Sequence, residues 1–226
     1  MLKEVGAEGL NVLPLLTRPA KVAIVALGPS SMAFVREMMS TQNMKSPFDE
    51  VWAINRGFRG FPHDKLFLMD DLRWLEKKDN AYAEALKSHD KPIFTSKAYS
   101  DYPQAVEYPF EPIKELLGDD IFASNTVSYA VAYAIYIKVK TVYLYGADFV
   151  YPNGATTESG GMSVAFLLGM MRAFEMQFVL PGETTMLYAN TVKQRGELIR
   201  RPYYGYHRQD EMKKEEKENA VKSKSA

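Results

Sequence analysis

The chain has no cysteine among its 226 residues, which excludes disulfides, thiolate metal sites and cysteine nucleophiles and fits a reducing compartment. Histidine is scarce, with three in all, and no HxxxH, CxxC or His-carboxylate spacing marks a structural transition-metal site. Neither sign of charge is in excess, because Lys+Arg and Asp+Glu both total 28. Net charge therefore gives no indication of nucleic-acid binding. No apolar run approaches the length that spans a bilayer, and the first residues lack the charged-then-apolar pattern of a secretory leader. The expectation is a soluble, cytoplasmic protein without a membrane span.

Hydrophobic residues make up 46% of the chain, enough for the core of one sizeable α/β domain. Residues 1–20 read as an extended lead-in. The run Lys21–Ala26 reads as a buried strand. It ends in Leu27-Gly28-Pro29-Ser30-Ser31 and passes directly into the helical pattern from Met32 to Met39. Gly28 suits a tight turn and Pro29 the first helical positions. Ser30 and Ser31 add hydroxyls beside a helix N-terminus, whose free amides attract anions. This is the construction of a phosphate site, without the full glycine fingerprint of a dinucleotide fold or a P-loop.

Further strands are expected at 50–55, 66–69, 92–95, 105–108, 141–145 and 177–180. Helices are expected at 72–88, from Val127 to Ile135 and at 162–174, with a helical turn near 113–117 and a Gly/Thr/Asn-rich loop over 150–161. Strands alternating with helices predict a Rossmann-like, mostly parallel sheet with helices on both faces. The domain covers 21–190. An irregular aromatic and basic extension over 191–210 and a charged, disordered tail over 211–226 follow.

The polar residues gather at expected strand ends: Gly28, Pro29, Ser30 and Ser31, then Asn55, Asp70 and Asp71, then Asn125 and Thr126, then Asp148. In such sheets ligands bind beyond the carboxyl ends of the strands, so these residues predict one nucleotide-binding crevice. Each also has a local alternative. Ser30 can be a helix cap, Asn55 a turn residue, Asp70 or Asp71 the cap of the next helix, Thr126 the cap of its own, and Asp148 a brace through backbone amides. Asp70 with Asp71 could also hold Mg²⁺ through a nucleotide's phosphates. His63 falls in a loop, and His89 reads as a surface charge at a helix terminus. His207, among Arg201, Tyr203, Tyr204, Tyr206 and Arg208, belongs to a segment that could close over the crevice, or pack on the domain or a partner subunit.

The order of these motifs resembles two related groups. The carrying residues are Gly28-Pro29-Ser30, Asn55, Asp70 and the run from Ser124 to Ile135 leading into Val142-Tyr143-Leu144-Tyr145-Gly146-Ala147-Asp148-Phe149. One group is the bacterial sialyltransferases of glycosyltransferase family forty-two. The other is the 6-hydroxymethylpterin pyrophosphokinase-like proteins. The sialyltransferase resemblance implies donor contacts at Gly28, Ser30, Asn55, Asp70 (Asn in those enzymes) and Thr126 (Ser there). It places Tyr151 at the first of two tyrosines that steady the departing phosphate. The chain departs from that pattern at Leu27, where the family has Asn, at Thr157, where the second tyrosine falls, and in the short 150–161 segment, where the family carries a base histidine on a lid. Glu158 or His207 would have to supply that base. Leu27 and Asp70 fit the pyrophosphokinase-like group better. Three functions follow: a nucleotide-dependent transferase of glycosyltransferase type needing no cofactor, a magnesium-dependent pyrophosphokinase, and a non-catalytic nucleotide-binding protein. Base, sugar, acceptor and oligomeric state, including a homo-oligomer, stay open.

Overall fold

Strand β1 (Lys21–Val25) sets the layering by the alternation of its side chains. Val22 and Ile24 are buried in one layer, Ala23 and Val25 in the other. A strand covered on both faces has to be apolar throughout, which is why this run shows no polar alternation. The computed structural model describes residues 18–41, 45–118, 123–150, 154–187, 191–194 and 197–200.

Helix α1 (Ser31–Ser40) returns to β2 (Glu50–Ile54), and a short 3-10 turn (Asn55–Arg59) leads to β3 (Lys65–Phe67). Helices α2 (Leu72–Lys78) and α3 (Asn80–Lys87) precede β4 (Ile93–Thr95) and β5 (Ala105–Glu107). After α4 (Phe110–Leu117) come α5 (Thr126–Tyr136), β6 (Thr141–Tyr145), α6 (Gly154–Ala173) and β7 (Gln177–Val179). The seven strands form one sheet in the order β5-β4-β3-β2-β1-β6-β7, and every pairing is parallel. The Rossmann-like α/β architecture expected from the sequence is what the chain adopts.

Phe34 of α1 packs with Ala23, Val25 and Val51, while Leu72, Leu75, Tyr82 and Leu86 of α2 and α3 pack with Ala53, Leu66 and Leu68. The opposite face carries α4, α5 and α6. There Trp52, Phe67, Phe94 and Tyr133 form a chain of rings with centroids 4.8–5.2 Å apart along Trp52–Phe67–Phe94–Tyr133. Helix α5 is buried on almost every side, as a helix apolar all round must be.

Three expectations about the sheet domain change. The helix expected over 72–88 is two helices, because Asp79 leaves helical geometry (φ −152°, ψ 82°) and its carboxylate caps α3 through the Tyr82 amide, 3.0 Å away. The loop expected over 150–161 is helical from Gly154 onward. Small residues there allow contact that local propensity does not encode, since a Cβ on Gly160 would sit 2.8 Å from a ring carbon of Phe149. His89 is half-buried and faces His63, with their Nε2 atoms 3.2 Å apart, so it is not the surface charge the sequence suggests.

Leu187 begins a separate unit, whose described residues include an antiparallel pair of strands, β8 (Thr191–Gln194) and β9 (Glu197–Arg200). The start of the extension expected to be irregular is thus regular strand. Residues 201–226, including the expected tail, lie outside the described residues. No helix among the described residues is long and apolar enough to cross a membrane.

Candidate functional site

The sheet order reverses between β1 and β6, and the crevice above such a reversal is the usual ligand position of an open α/β sheet. Here the two loops are joined directly. The Gly28 amide donates to the Gly146 carbonyl (2.8 Å), the Gly146 amide to Ser30 Oγ (2.9 Å) and the Ser30 amide to Asp148 Oδ2 (2.7 Å). A Cβ on Gly28 would lie 2.4 Å from the Gly146 carbonyl oxygen and 2.6 Å from Asp148 Oδ2. Gly146 has φ +68°, and its Cβ would lie 2.1 Å from the Ala26 carbonyl oxygen. Only glycine fits at either position.

This clasp changes the meaning of the Gly-Pro-Ser turn. Ser30 is fully buried, its amide bonded to the Asp148 carboxylate and its hydroxyl accepting from Gly146. The Ser31 and Met32 amides point back to the Gly28 and Pro29 carbonyls. The anion at the amino end of α1 is the protein's own Asp148, so direct phosphate contact at the Ser30 amide is replaced by an internal carboxylate. Ser31 is buried as well, while Pro29 is exposed.

An open cleft lies beside the clasp, over the carboxyl ends of β1, β2 and β3. Its cavity of about 480 Å³ is lined by Leu27, Asn55, Arg56, Leu68, Asp70, Trp74, Leu75, Lys78, Asp79 and Tyr82. Asn55 starts the 3-10 turn with φ 51°, a left-handed conformation that asparagine tolerates better than most residues. Its Oδ1 is buried without a hydrogen-bond partner, and so is the Tyr82 hydroxyl. Burial pushes the Tyr82 hydroxyl up to about 12. Asp70 is exposed in the cleft.

Asp71 is the cap of α2. Its Oδ1 accepts from the Arg73 and Trp74 amides (2.8 and 3.0 Å) and its Oδ2 from the Tyr99 hydroxyl (2.9 Å). The Tyr99 bond, followed by the Trp74 amide, holds its carboxyl below the usual range. A magnesium ion shared by Asp70 and Asp71 therefore does not fit, because Asp71 is already engaged through both oxygens. Among the described residues no group of three or more His, Asp or Glu side chains could hold a metal ion.

Two sequence candidates sit elsewhere. Asn125 caps α5 in a reciprocal box with Ser128 and donates from Nδ2 to the Gly160 carbonyl (3.1 Å). Thr126 is the first, buried residue of α5, and neither lines the cleft. Glu158 falls within the backbone of α6 rather than in a loop. Tyr151 and His207 lie outside the described residues.

The structure adds Arg56, Trp74, Lys78, Asp79 and Tyr82 to the cleft. Arg56 pairs with Asp79 (2.5 Å) and lies over the Tyr82 ring, 4.2 Å from its centroid. Bonds from Arg56 and the Tyr82 amide hold the Asp79 carboxyl below its usual range. The polar run Lys77-Lys78-Asp79-Asn80 was the available sequence signal, since it interrupts the helical apolar pattern. A second cavity of about 410 Å³ lies between α1 and β6–β7. Its charged groups are mutually satisfied, with Tyr145 donating to Glu37 and Arg36 paired with Glu183.

Fold and cleft together define a Rossmann-like α/β protein with a ligand-sized opening at the carboxyl ends of its first three strands. Among solved structures, the chain is similar to the sialyltransferase CstII from Campylobacter jejuni in complex with a substrate analogue, CMP-3FNeuAc, at 16% identity over 82% of this chain and 92% of that one (TM-score 0.47). It is similar to CstII in complex with cytidine-5'-monophosphate at 16% identity over 82% and 92% (TM-score 0.43). It is also similar to an α-2,3-sialyltransferase from Campylobacter jejuni in apo form at 17% identity over 76% and 78% (TM-score 0.44). No family model matches the chain, and no curated protein matches it in sequence.

Proposed function

We propose that the chain is a nucleotide-dependent transferase of glycosyltransferase type, taking a nucleotide-activated sugar in the cleft over β1–β3. The observation that carries this is the pairing of buried, unpartnered Asn55 Oδ1 and Tyr82 Oη in one cleft with the exposed Asp70 carboxylate. Buried polar atoms without partners are rare and costly, so a cleft that groups two of them is prepared for a ligand bearing hydrogen-bonding groups. Leu27, Leu68 and Trp74 supply apolar surface for a base, and Asp70 and Asn55 Oδ1 accept from sugar hydroxyls or base amino groups.

In the transfer, the acceptor hydroxyl oxygen forms a bond to the anomeric carbon while the carbon–oxygen bond to the donor phosphate breaks. The electron pair leaves with the phosphate and the hydroxyl proton passes to a base. On the sequence resemblance Tyr151 steadies the phosphate; the resemblance supplies no base, and Glu158 or His207 takes that place in this proposal. Gly28, Ser30 and Asp148 act by holding the β1 and β6 loops together rather than by touching phosphate.

One observation favours a second reading. Asp70 is an open carboxylate in the cleft, and a pyrophosphokinase would place Mg²⁺ and a triphosphate there. Asp70→Asn separates the two. It is tolerated by the glycosyltransferase-type protein and disables the magnesium-dependent one.

The first test is thermal unfolding with CMP, UMP, UDP, GDP and ATP, because a ligand selective for the native state raises Tm. At least one is expected to raise it, with the shift lost in Asn55→Ala when judged against that variant's own ligand-free Tm, which the left-handed φ at position 55 lowers. If none shifts Tm at millimolar concentration, the nucleotide reading falls. Survival of the binding and of transfer in EDTA separates glycosyl transfer from kinase chemistry.

A further inference from the structure

The sequence places phosphate at the amino end of α1, but Asp148 fills that position. A second negative group there would meet a buried carboxylate at close range. The cleft offers cations elsewhere, since its lining contains two, Arg56 and Lys78. Both heads are held at the cleft by aromatic rings. The Arg56 guanidinium lies 4.2 Å from the Tyr82 centroid, and Lys78 Nζ lies 4.3 Å from the Trp74 centroid. Among the described residues Lys78 forms no ion pair, whereas Arg56 is paired with Asp79. Lys77, the neighbouring cation in the same helical turn, does not line the cleft.

We propose that Arg56 and Lys78 bind the phosphate of the nucleotide, and that Asp79 is an internal counter-ion which the phosphate displaces from Arg56. This rests on the nucleotide-transferase reading and assigns that site its anionic pole. Arg56 has the planar donor fork that grips phosphate through two oxygens, and Lys78, the last residue of α2, adds a point charge. Asp79 keeps a partner after the exchange, because its Oδ1 accepts from the Tyr82 amide while the ion pair uses Oδ2. Among the cleft's own lining groups, Asp70 and Asp79 balance Arg56 and Lys78, and the cleft becomes a phosphate site when Arg56 changes partner.

The test compares CMP with cytidine, and UMP, GMP and AMP with their nucleosides, by calorimetry on the full chain. The wild type is expected to prefer a nucleotide to its nucleoside by tenfold or more. Arg56→Ala and Lys78→Ala should each weaken the nucleotide about tenfold while leaving the nucleoside unchanged. Arg56→Lys retains the charge without the fork and should fall between. Asp79→Asn preserves the α3 cap, frees Arg56 and should tighten the nucleotide several-fold. Lys77→Ala should change nothing. Equal loss for nucleotide and nucleoside, or no loss in either alanine variant, overturns the phosphate pole and leaves the nucleotide reading standing. Binding of neither class by the wild type overturns both.

Discussion

Asp148 does at the residue scale what a bound phosphate would do: it satisfies a helix-terminal amide with negative charge. The residue is 5% exposed and its Oδ2 lies 2.7 Å from the Ser30 amide. Asp148→Ala leaves that amide buried without a partner and is expected to destabilise by about 1–3 kcal/mol. Gly28→Ala pushes a methyl into the Gly146 carbonyl, and overpacking of this kind costs about 1–3 kcal/mol. Both are read as lower urea midpoints with unchanged slope. The two mutations share one clasp, so the double variant should lose less than the sum of the singles. An additive result would show that the two loops do not depend on each other.

At the scale of elements, the segment from the 3-10 turn to just beyond α3, which also carries most of the cleft residues, holds a titratable contact between His63 and His89. His63 Nδ1 lies 2.9 Å from the Phe61 carbonyl oxygen and therefore donates to it. Nε2 of neutral His63 is then an acceptor, and His89 Nε2 donates to it across 3.2 Å. Phe58 stands edge-on to both rings, with Asp90 and Lys91 as the nearby charges on His89. Burial, and next the approach of His63, lowers the His89 pKa below 6.5. The sign follows from linkage: below pH 6.5 the unfolded chain binds more protons than the folded one at this site. The stability contribution of neutral His89 is therefore full above pH 6.5 and is lost as pH falls through the lowered folded value. Urea midpoints measured between about pH 5 and 8 should fall toward acid, and His89→Gln should flatten the fall. An unchanged slope in that variant would remove His89 as the cause.

For the whole molecule, the rings of Trp52, Phe67, Phe94 and Tyr133 join β2, β3 and β4 to α5. Phe67 is fully buried at the centre of that row. Phe67→Ala is expected to cost about 3–5 kcal/mol, because the cavity opens between the sheet and its central helix where neither can close on it. The loss should appear in global unfolding by both fluorescence and circular dichroism, since the row belongs to the shared core.

The sequence by itself determined the layered α/β class. Apolar runs such as Val22–Val25 and Val142–Tyr145, each followed by a helical repeat, can bury both faces only in a parallel sheet with helices above and below. It also placed Asn55 and Asp70 at strand ends, and parallel strands bring such ends to one edge. Tertiary structure alone decided which polar residues remain open to a ligand. The Ser30 amide is taken up by Asp148 Oδ2, 118 positions away, only because β1 and β6 are neighbours. Asp71 rather than Asp70 became the cap of α2, leaving Asp70 in the cleft. The same holds for 154–161, where an expected loop is helix; at Gly160 and Gly161 the lack of a side chain lets α6 approach Phe149. Local pattern fixes which residues share a strand or a turn, whereas the pairing of polar groups distant in sequence depends on strand order. Strand order is set by the burial of the whole core.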